Sequence, residues 1–147
     1  MNFRITRLAI AAMTVLCAGM CAAGPRLTAF VMQRPTPMIN GPVRFWMILI
    51  AGYALAALAF LCLFSLYRLI CRIEQGDIFT MANVKSLRAI SLEVGAAAAL
   101  SLLLGITCTI LMSAVAVMAA FMVLIIRVIQ HSFERAVAMK DELDLTI

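Results

Sequence analysis

Glu93 is the residue whose type and position most directly suggest chemistry. It directly precedes the long uncharged segment 94–126. An ionisable side chain inside a membrane is energetically costly, so its presence there indicates a functional role such as transport. We expect Glu93 to lie at the lipid headgroups or to pair with Arg88 or Arg72, because it stands at the start of the apolar segment. No charged residue stands near the centre of any apolar segment. A small transporter, or an accessory subunit of one, is therefore the alternative function, with Glu93 as its key residue.

The other reactive residue types form no catalytic or metal-binding pattern. His131 is the one histidine and no cysteine belongs to a CxxC pair, so the ligand spacing of a zinc site is absent. Ser132 follows His131, but no third residue is spaced to orient the two side chains. We expect no catalytic residue, no metal ligand and no cofactor, and we predict that the protein is not an enzyme. The cysteines are expected to be packing residues: Cys17, Cys21, Cys62, Cys71 and Cys108.

The composition indicates a protein whose solvent is lipid. Of the 147 residues, 65% are hydrophobic and only 13% are charged, and the mean hydropathy is +1.09. A soluble domain is about half apolar and about one quarter charged. The net charge of +5 would suggest nucleic acid in a soluble protein, but here the basic residues flank apolar segments. We therefore expect the lipid bilayer as partner and no direct binding of nucleic acid.

Four apolar segments predict an all-α, integral membrane four-helix bundle forming one domain, 1–147. The spans are expected at about residues 5–24, 45–67, 87–105 and 110–129. Gly105, Thr107, Thr109 and Ser113 predict a tight turn that divides the long uncharged segment in two. The first segment also fits a cleaved secretory signal. We favour a retained helix, and cleavage stays open as the alternative.

The segments between the spans differ in character. Residues 25–44 contain all four prolines, so we predict an extended connector outside the membrane. In the loop 68–88, Gly76 is expected to stop a helix and Thr80 to cap the next one. Residues 130–147 form the tail, where apolar residues continue the helical spacing.

The distribution of basic residues predicts that both termini are cytoplasmic. With four spans, the outer side receives only Arg26, Arg34 and Arg44, whereas three spans would divide the charges evenly. The protein is therefore predicted to be a multi-pass protein of the bacterial cytoplasmic (inner) membrane. On that topology nine basic residues are cytoplasmic: Arg4, Arg7, Arg68, Arg72, Lys85, Arg88, Arg127, Arg135 and Lys140.

Two stretches, GDIFTMANVKSLRAI in the loop and DELDLTI in the tail, resemble the bacterial membrane family called domain of unknown function 2975. The resemblance implies four helices and no established activity. By analogy it also implies a helix-turn-helix transcription regulator as a cytoplasmic partner. The matching residues are Gly76, Ile78, Phe79, Thr80, Asn83, Val84, Leu87, Arg88, Ile90, Glu142, Asp144, Leu145, Thr146 and Ile147.

The favoured function is that of a non-enzymatic regulatory or interaction protein. The loop from Arg68 to Arg88 has a net charge of +2, and the tail from Lys140 is acidic, so we expect the tail to dock on the loop as a static clasp or as a switch. Small residues four apart, such as Gly52 with Ala56 and Gly95 with Ala99, favour a compact bundle, a homodimer or contact with another membrane protein. The candidate interaction residues are Gly76, Phe79, Thr80, Asn83, Leu87, Arg88, Asp144, Leu145, Thr146 and Ile147.

Overall fold

Five helices make up most of the chain in the computed structural model, which describes residues 3–34 and 41–146. Four of the helices are long and apolar enough to cross a membrane, which confirms the all-α fold and the four predicted membrane helices. The exact span limits stay predictions. The helices are α1 (Phe3–Ala22), α2 (Gly24–Met32), α3 (Pro42–Glu74), α4 (Met81–Thr107) and α5 (Leu111–Thr146).

The helix surfaces are apolar, as lipid contact requires. Val117, Phe121, Leu124 and Val128 follow one another along one face of α5, and each is more than 60% exposed. In water such a stripe would be an aggregation hazard, whereas in a bilayer it is the normal outer surface. The most buried of the four long helices is α4, which packs against both α3 and α5.

The predicted extended connector 25–44 is only partly correct, because its first part is the short helix α2. Pro25 does not prevent this helix, since it occupies the first turn, where a backbone N–H has no partner within the helix. Pro42 stands in the same way at the start of α3. The remaining prolines, Pro35 and Pro37, lie outside the described residues.

The uncharged segment 94–126 is divided into two helices by a turn at residues 108–110, as predicted. The backbones of α4 and α5 approach closely at Gly105, where an added Cβ would collide with Ser113 Oγ and lie 2.6 Å from the Ser113 backbone nitrogen. Farther from the turn, Leu87 of α4 packs with Leu69 of α3 and Ile126 of α5 in one apolar cluster. The α4–α5 hairpin is thus the best-packed part of the fold.

Substitution of Gly105 by alanine should therefore destabilise the hairpin. The added methyl group collides with the backbone of Ser113, and overpacking of this kind costs roughly 2 kcal/mol. Gly95→Ala is the matched control, because a Cβ at Gly95 meets nothing within 4 Å. There alanine should stabilise the helix by about 0.5–1 kcal/mol. Unfolding in mixed micelles measures both, and equal effects of the two substitutions would contradict the close approach at Gly105.

Gly52 and Gly95 make no close contact between helices among the residues that the structure describes. A Cβ built at either glycine meets no atom within 4 Å. The close helix approach that the pattern favours is therefore not formed at these two glycines by the described residues. Their role in a homodimer stays a prediction.

Contacts between the helix ends place both ends of the described chain at one end of the bundle. Arg7 of α1 forms an ion pair with Glu74 in the last turn of α3. Near the other end of α1, the Tyr53 hydroxyl donates to the Cys21 carbonyl at 3.2 Å. Because α4 and α5 cross the bundle once each, the C-terminal part of α5 returns to the end that holds Glu74. The location of this end in the cytoplasm stays a prediction.

Candidate functional site

The family-like loop is a short connector, residues 75–80, between α3 and α4. Gly76 ends α3 with a φ of 95°, a conformation that favours glycine. Its N–H donates to the Ile73 carbonyl at 3.1 Å, and the N–H of Asp77 donates to the Arg72 carbonyl at 3.2 Å. This pattern is a Schellman motif, so Gly76 is the helix stop that the sequence predicted.

Thr80 begins α4 as its N-cap, which confirms the second local prediction. Its backbone is extended, with a φ of −126° and a ψ of 153°. Its hydroxyl oxygen accepts a hydrogen bond from the backbone N–H of Asn83 at 3.4 Å. The cap satisfies one of the free N–H groups in the first turn of the helix.

Asn83 holds the connector in place from inside the fold. Its side chain is completely buried, and its Nδ2 donates to the carbonyls of Asp77 at 2.6 Å and Ile78 at 2.7 Å. These two carbonyls follow the end of α3, so one amide of α4 fixes the end of the neighbouring helix. The sequence singled out Asn83 for interaction, but its geometry is that of a structural residue.

Two further motif residues, one in the connector and one in α4, contact α5. The Phe79 ring packs on Phe133 with 5.6 Å between ring centroids. An Arg88 guanidinium nitrogen lies 3.9 Å from a carboxylate oxygen of Glu134. Because the Arg88 side chain is 61% exposed, this ion pair contributes little to stability. With Leu87 in the apolar cluster, the loop motif therefore joins α3, α4 and α5.

Asp144 and Leu145, which were predicted to dock on the loop, are not seated on it. Asp144 and Leu145 are exposed, and Leu145 retains 86% of its accessible surface. The contact between tail and loop is made instead by Phe133 and Glu134. The reason is geometric: α5 continues as one helix, and twelve residues beyond Phe133 carry Leu145 about 18 Å along the axis. Ile147 and the side chain of Thr146 lie outside the described residues.

Glu93 does not pair with either predicted arginine. Arg88 contacts Glu134, whereas Arg72 donates to the Ala82 carbonyl and to Ser86 Oγ. The partner of Glu93 is Ser65 of α3, whose hydroxyl donates to Oε1 at 3.4 Å. Its other carboxylate oxygen, Oε2, is buried and has no hydrogen-bond partner among the described residues. Because its carboxylate lies between two membrane helices and only one of its oxygens is hydrogen-bonded by the described residues, Glu93 stays a candidate functional residue.

Arg44, which the sequence indicated only as an outer positive charge, is a buried residue with 3% exposure. Its Nε donates to the Cys108 carbonyl at 2.9 Å, and its Nη atoms donate to carbonyls near the end of α2, with distances of 3.1–3.4 Å. The ends of α2 and α4 present the negative poles of their helix dipoles, which compensates the cation. No local signal reveals this role, because Cys108 lies 64 residues away in the sequence.

The described residues contain no group of three or more histidine, cysteine or acidic side chains placed to hold a metal ion. The Ser132 hydroxyl donates to the Val128 carbonyl rather than to His131. His131 lies instead 3.7 Å from Glu134 and is mostly exposed. These residues are therefore arranged as the surface of a helix.

The fold and the connector define a multi-pass membrane protein of helical hairpins. Residues 28–147 match the family model described as Protein of unknown function (DUF2975). The chain belongs to this family, as the loop and tail residues predicted. The match begins after α1, so the first helix lies outside it. No curated protein and no solved structure matches the chain.

Proposed function

We propose that this protein is a non-enzymatic membrane regulator that binds a partner through the C-terminal extension of α5. The observation that carries the proposal is the shape of α5, which continues about 18 Å beyond Phe133 and is exposed at residues 138–145, after the buried Val137. The apolar part of α5 is already long enough to cross the membrane without this extension. Its acidic and apolar side chains are therefore available for contacts outside the bundle.

The chemistry of the extension supports a particular kind of partner. Asp141, Glu142 and Asp144 are acidic and exposed, and Met139 and Leu145 are exposed apolar residues of the same helix. A helix with this pattern fits an apolar groove bordered by basic side chains. A cytoplasmic helix-turn-helix regulator, suggested by analogy, is such a basic protein; a second copy of this chain and another membrane protein are the competing partners.

The contact of Phe133 with Phe79 in the connector and that of Glu134 with Arg88 in α4 favour a static clasp at the base of the extension over a switch. The connector is fixed by Asn83 from within α4. A partner on the extension would then rest on a rigid base. Because the loop is already ordered, ordering it would not reduce the binding free energy of the partner.

Photo-crosslinking in native membranes tests the proposal. A photoreactive residue at Met139, which is 63% exposed, should give one discrete adduct in the full chain. The adduct should fall at least tenfold in a chain lacking residues 144–147, and also in the D141N/E142Q/D144N variant. The same photoreactive residue at Met118, exposed on the apolar part of α5, is the control and should give no such adduct. Absence of an adduct at Met139, or an equal yield at Met139 and Met118, would exclude the extension as the binding surface. Equal yield with and without the last four residues would exclude residues 144–147 from that surface.

A small transporter or accessory transport subunit is the second candidate, supported by the buried Oε2 of Glu93. In that case Glu93→Gln should lower ion flux or drug tolerance at least tenfold, because the glutamine amide cannot take up and release a proton as a carboxylate does. Glu134→Gln, outside the apolar segment, is the matched control and should leave flux unchanged. Unchanged flux in Glu93→Gln removes the support for transport.

A further inference from the structure

A groove of about 280 Å³ lies between α3 and α4 near the connector. Its walls are the side chains of Arg68, Arg72 and Lys85, with the hydroxyls of Ser65 and Ser86. The small side chains of alanines 82 and 89 leave the space between the two helices open. The groove thus combines three cations and two hydroxyl groups in one concave surface.

The carboxylate of Glu93 accepts a hydrogen bond from the Ser65 hydroxyl at the groove wall, but no groove cation forms an ion pair within the described part of the chain. The ion pairs there involve Arg7, Arg88 and His131, and none of the three groove cations. Arg72 is oriented by hydrogen bonds to the Ala82 carbonyl at 3.2 Å and Ser86 Oγ at 2.8 Å. A guanidinium has five N–H donors, so others remain for an oxyanion. An oriented arginine between two further cations is a favourable phosphate-binding arrangement.

The position of the groove points to a lipid phosphate. Arg68 directly follows Tyr67 at the end of the uncharged segment 45–67, which is where headgroups meet the hydrocarbon core. Phe64 and Leu61 precede Arg68 by one and two turns and are exposed, and Leu92 follows Lys85 by two turns on α4. An exposed apolar surface for acyl chains therefore extends from the groove toward the middle of the membrane.

We propose that this groove binds the phosphate of an anionic phospholipid, whose acyl chains lie along Leu61, Phe64 and Leu92. Arg72 supplies the oriented guanidinium, while Arg68 and Lys85 add charge on either side. A soluble phosphate compound would use the same cations but not the apolar surface. Binding of the lipid would fix α3 against α4 beside the connector.

Native mass spectrometry of the full-length protein in neutral detergent, with added phosphatidylglycerol, tests this assignment. The R68Q/K85Q variant should bind phosphatidylglycerol at least tenfold more weakly. R127Q/R135Q removes the same charge from exposed positions of α5 and should change the Kd less than threefold. Ala89→Phe, which fills the groove without changing its charge, should also weaken binding, and phosphatidylcholine should bind poorly to every form.

Three results would overturn the proposal. Equal losses in the groove variant and the α5 variant would mean that binding follows net charge alone. Undiminished binding in both R68Q/K85Q and Ala89→Phe would place the lipid elsewhere. Competition by glycerol phosphate at the concentrations at which phosphatidylglycerol binds would identify a soluble phosphate as the ligand.

Discussion

Replacing Arg44 by leucine is expected to destabilise the protein by about 3–4 kcal/mol, because one buried and three partly buried carbonyls lose a charged donor at once. The guanidinium connects the end of α2, the start of α3 and the Cys108 carbonyl. Leucine fills part of the space but donates no hydrogen bond. Unfolding in mixed micelles with increasing sodium dodecyl sulfate measures the change.

Two further variants separate charge from geometry at this position. Arg44→Lys retains the charge, but its single ammonium group cannot reach all the carbonyls that the planar guanidinium of arginine contacts on its two sides. It should therefore lose roughly 2 kcal/mol. Arg26→Gln is the control, because Arg26 is exposed on α2, and its effect should stay within about 0.5 kcal/mol. Equal stability of Arg44→Lys and the natural protein would show that only the charge of Arg44 matters.

The second large effect is expected for Asn83→Ala, which should destabilise the protein by about 2–3 kcal/mol. The substitution leaves the Asp77 and Ile78 carbonyls without their donor and opens a small space beside the connector. Asn83→Asp keeps the size of the side chain but replaces the donating nitrogen by an oxygen. It should be at least as destabilising at neutral pH, since a carboxylate would face two carbonyl oxygens.

The control for Asn83 is Gln75→Ala, which changes an exposed amide side chain at the end of α3. Its effect should stay within about 0.5 kcal/mol. Limited proteolysis of the connector adds a local measurement, and cleavage between α3 and α4 should accelerate only in the Asn83 variants. An Asn83→Ala protein with normal stability and reduced partner binding would show that Asn83 is an interaction residue instead.

Local sequence signals predicted the connector well because its structure depends on neighbouring residues. Gly76 ends α3 through its own backbone conformation, and Thr80 caps α4 through a contact three residues away. The turn after Gly105 followed from the length of an uncharged segment that one helix could not span. The helix α2 was missed because the composition of residues 25–44 hides the favourable position of Pro25 in a first turn.

Contacts between distant residues could not be predicted in this way. Arg44 reaches a carbonyl 64 residues away, and its burial follows from the arrangement of three helices. Glu93 was expected to lie at the headgroups or to pair with Arg88 or Arg72, and its hydrogen-bond partner is instead Ser65 of α3.

Charge counting predicted that the acidic tail from Lys140 docks on the basic loop, but the loop residue Arg88 pairs with Glu134, which lies outside that tail. It could not show that a continuous helix carries the last acidic residues past the loop.

The account depends most on the connector and the extension of α5 facing the same side of the membrane. A cysteine-free chain, with all five native cysteines replaced, can carry a single cysteine at Ile78, Leu145 or Ile110. Each of these positions is exposed, and Ile110 lies in the α4–α5 turn at the opposite end.

Labelling with a membrane-impermeant maleimide, in intact cells and in inverted membrane vesicles, measures the side of each cysteine. We predict that Ile78→Cys and Leu145→Cys react only in inverted vesicles, and that Ile110→Cys reacts only in intact cells. Reaction of the Ile78 and Leu145 positions from opposite sides of the membrane would contradict the account.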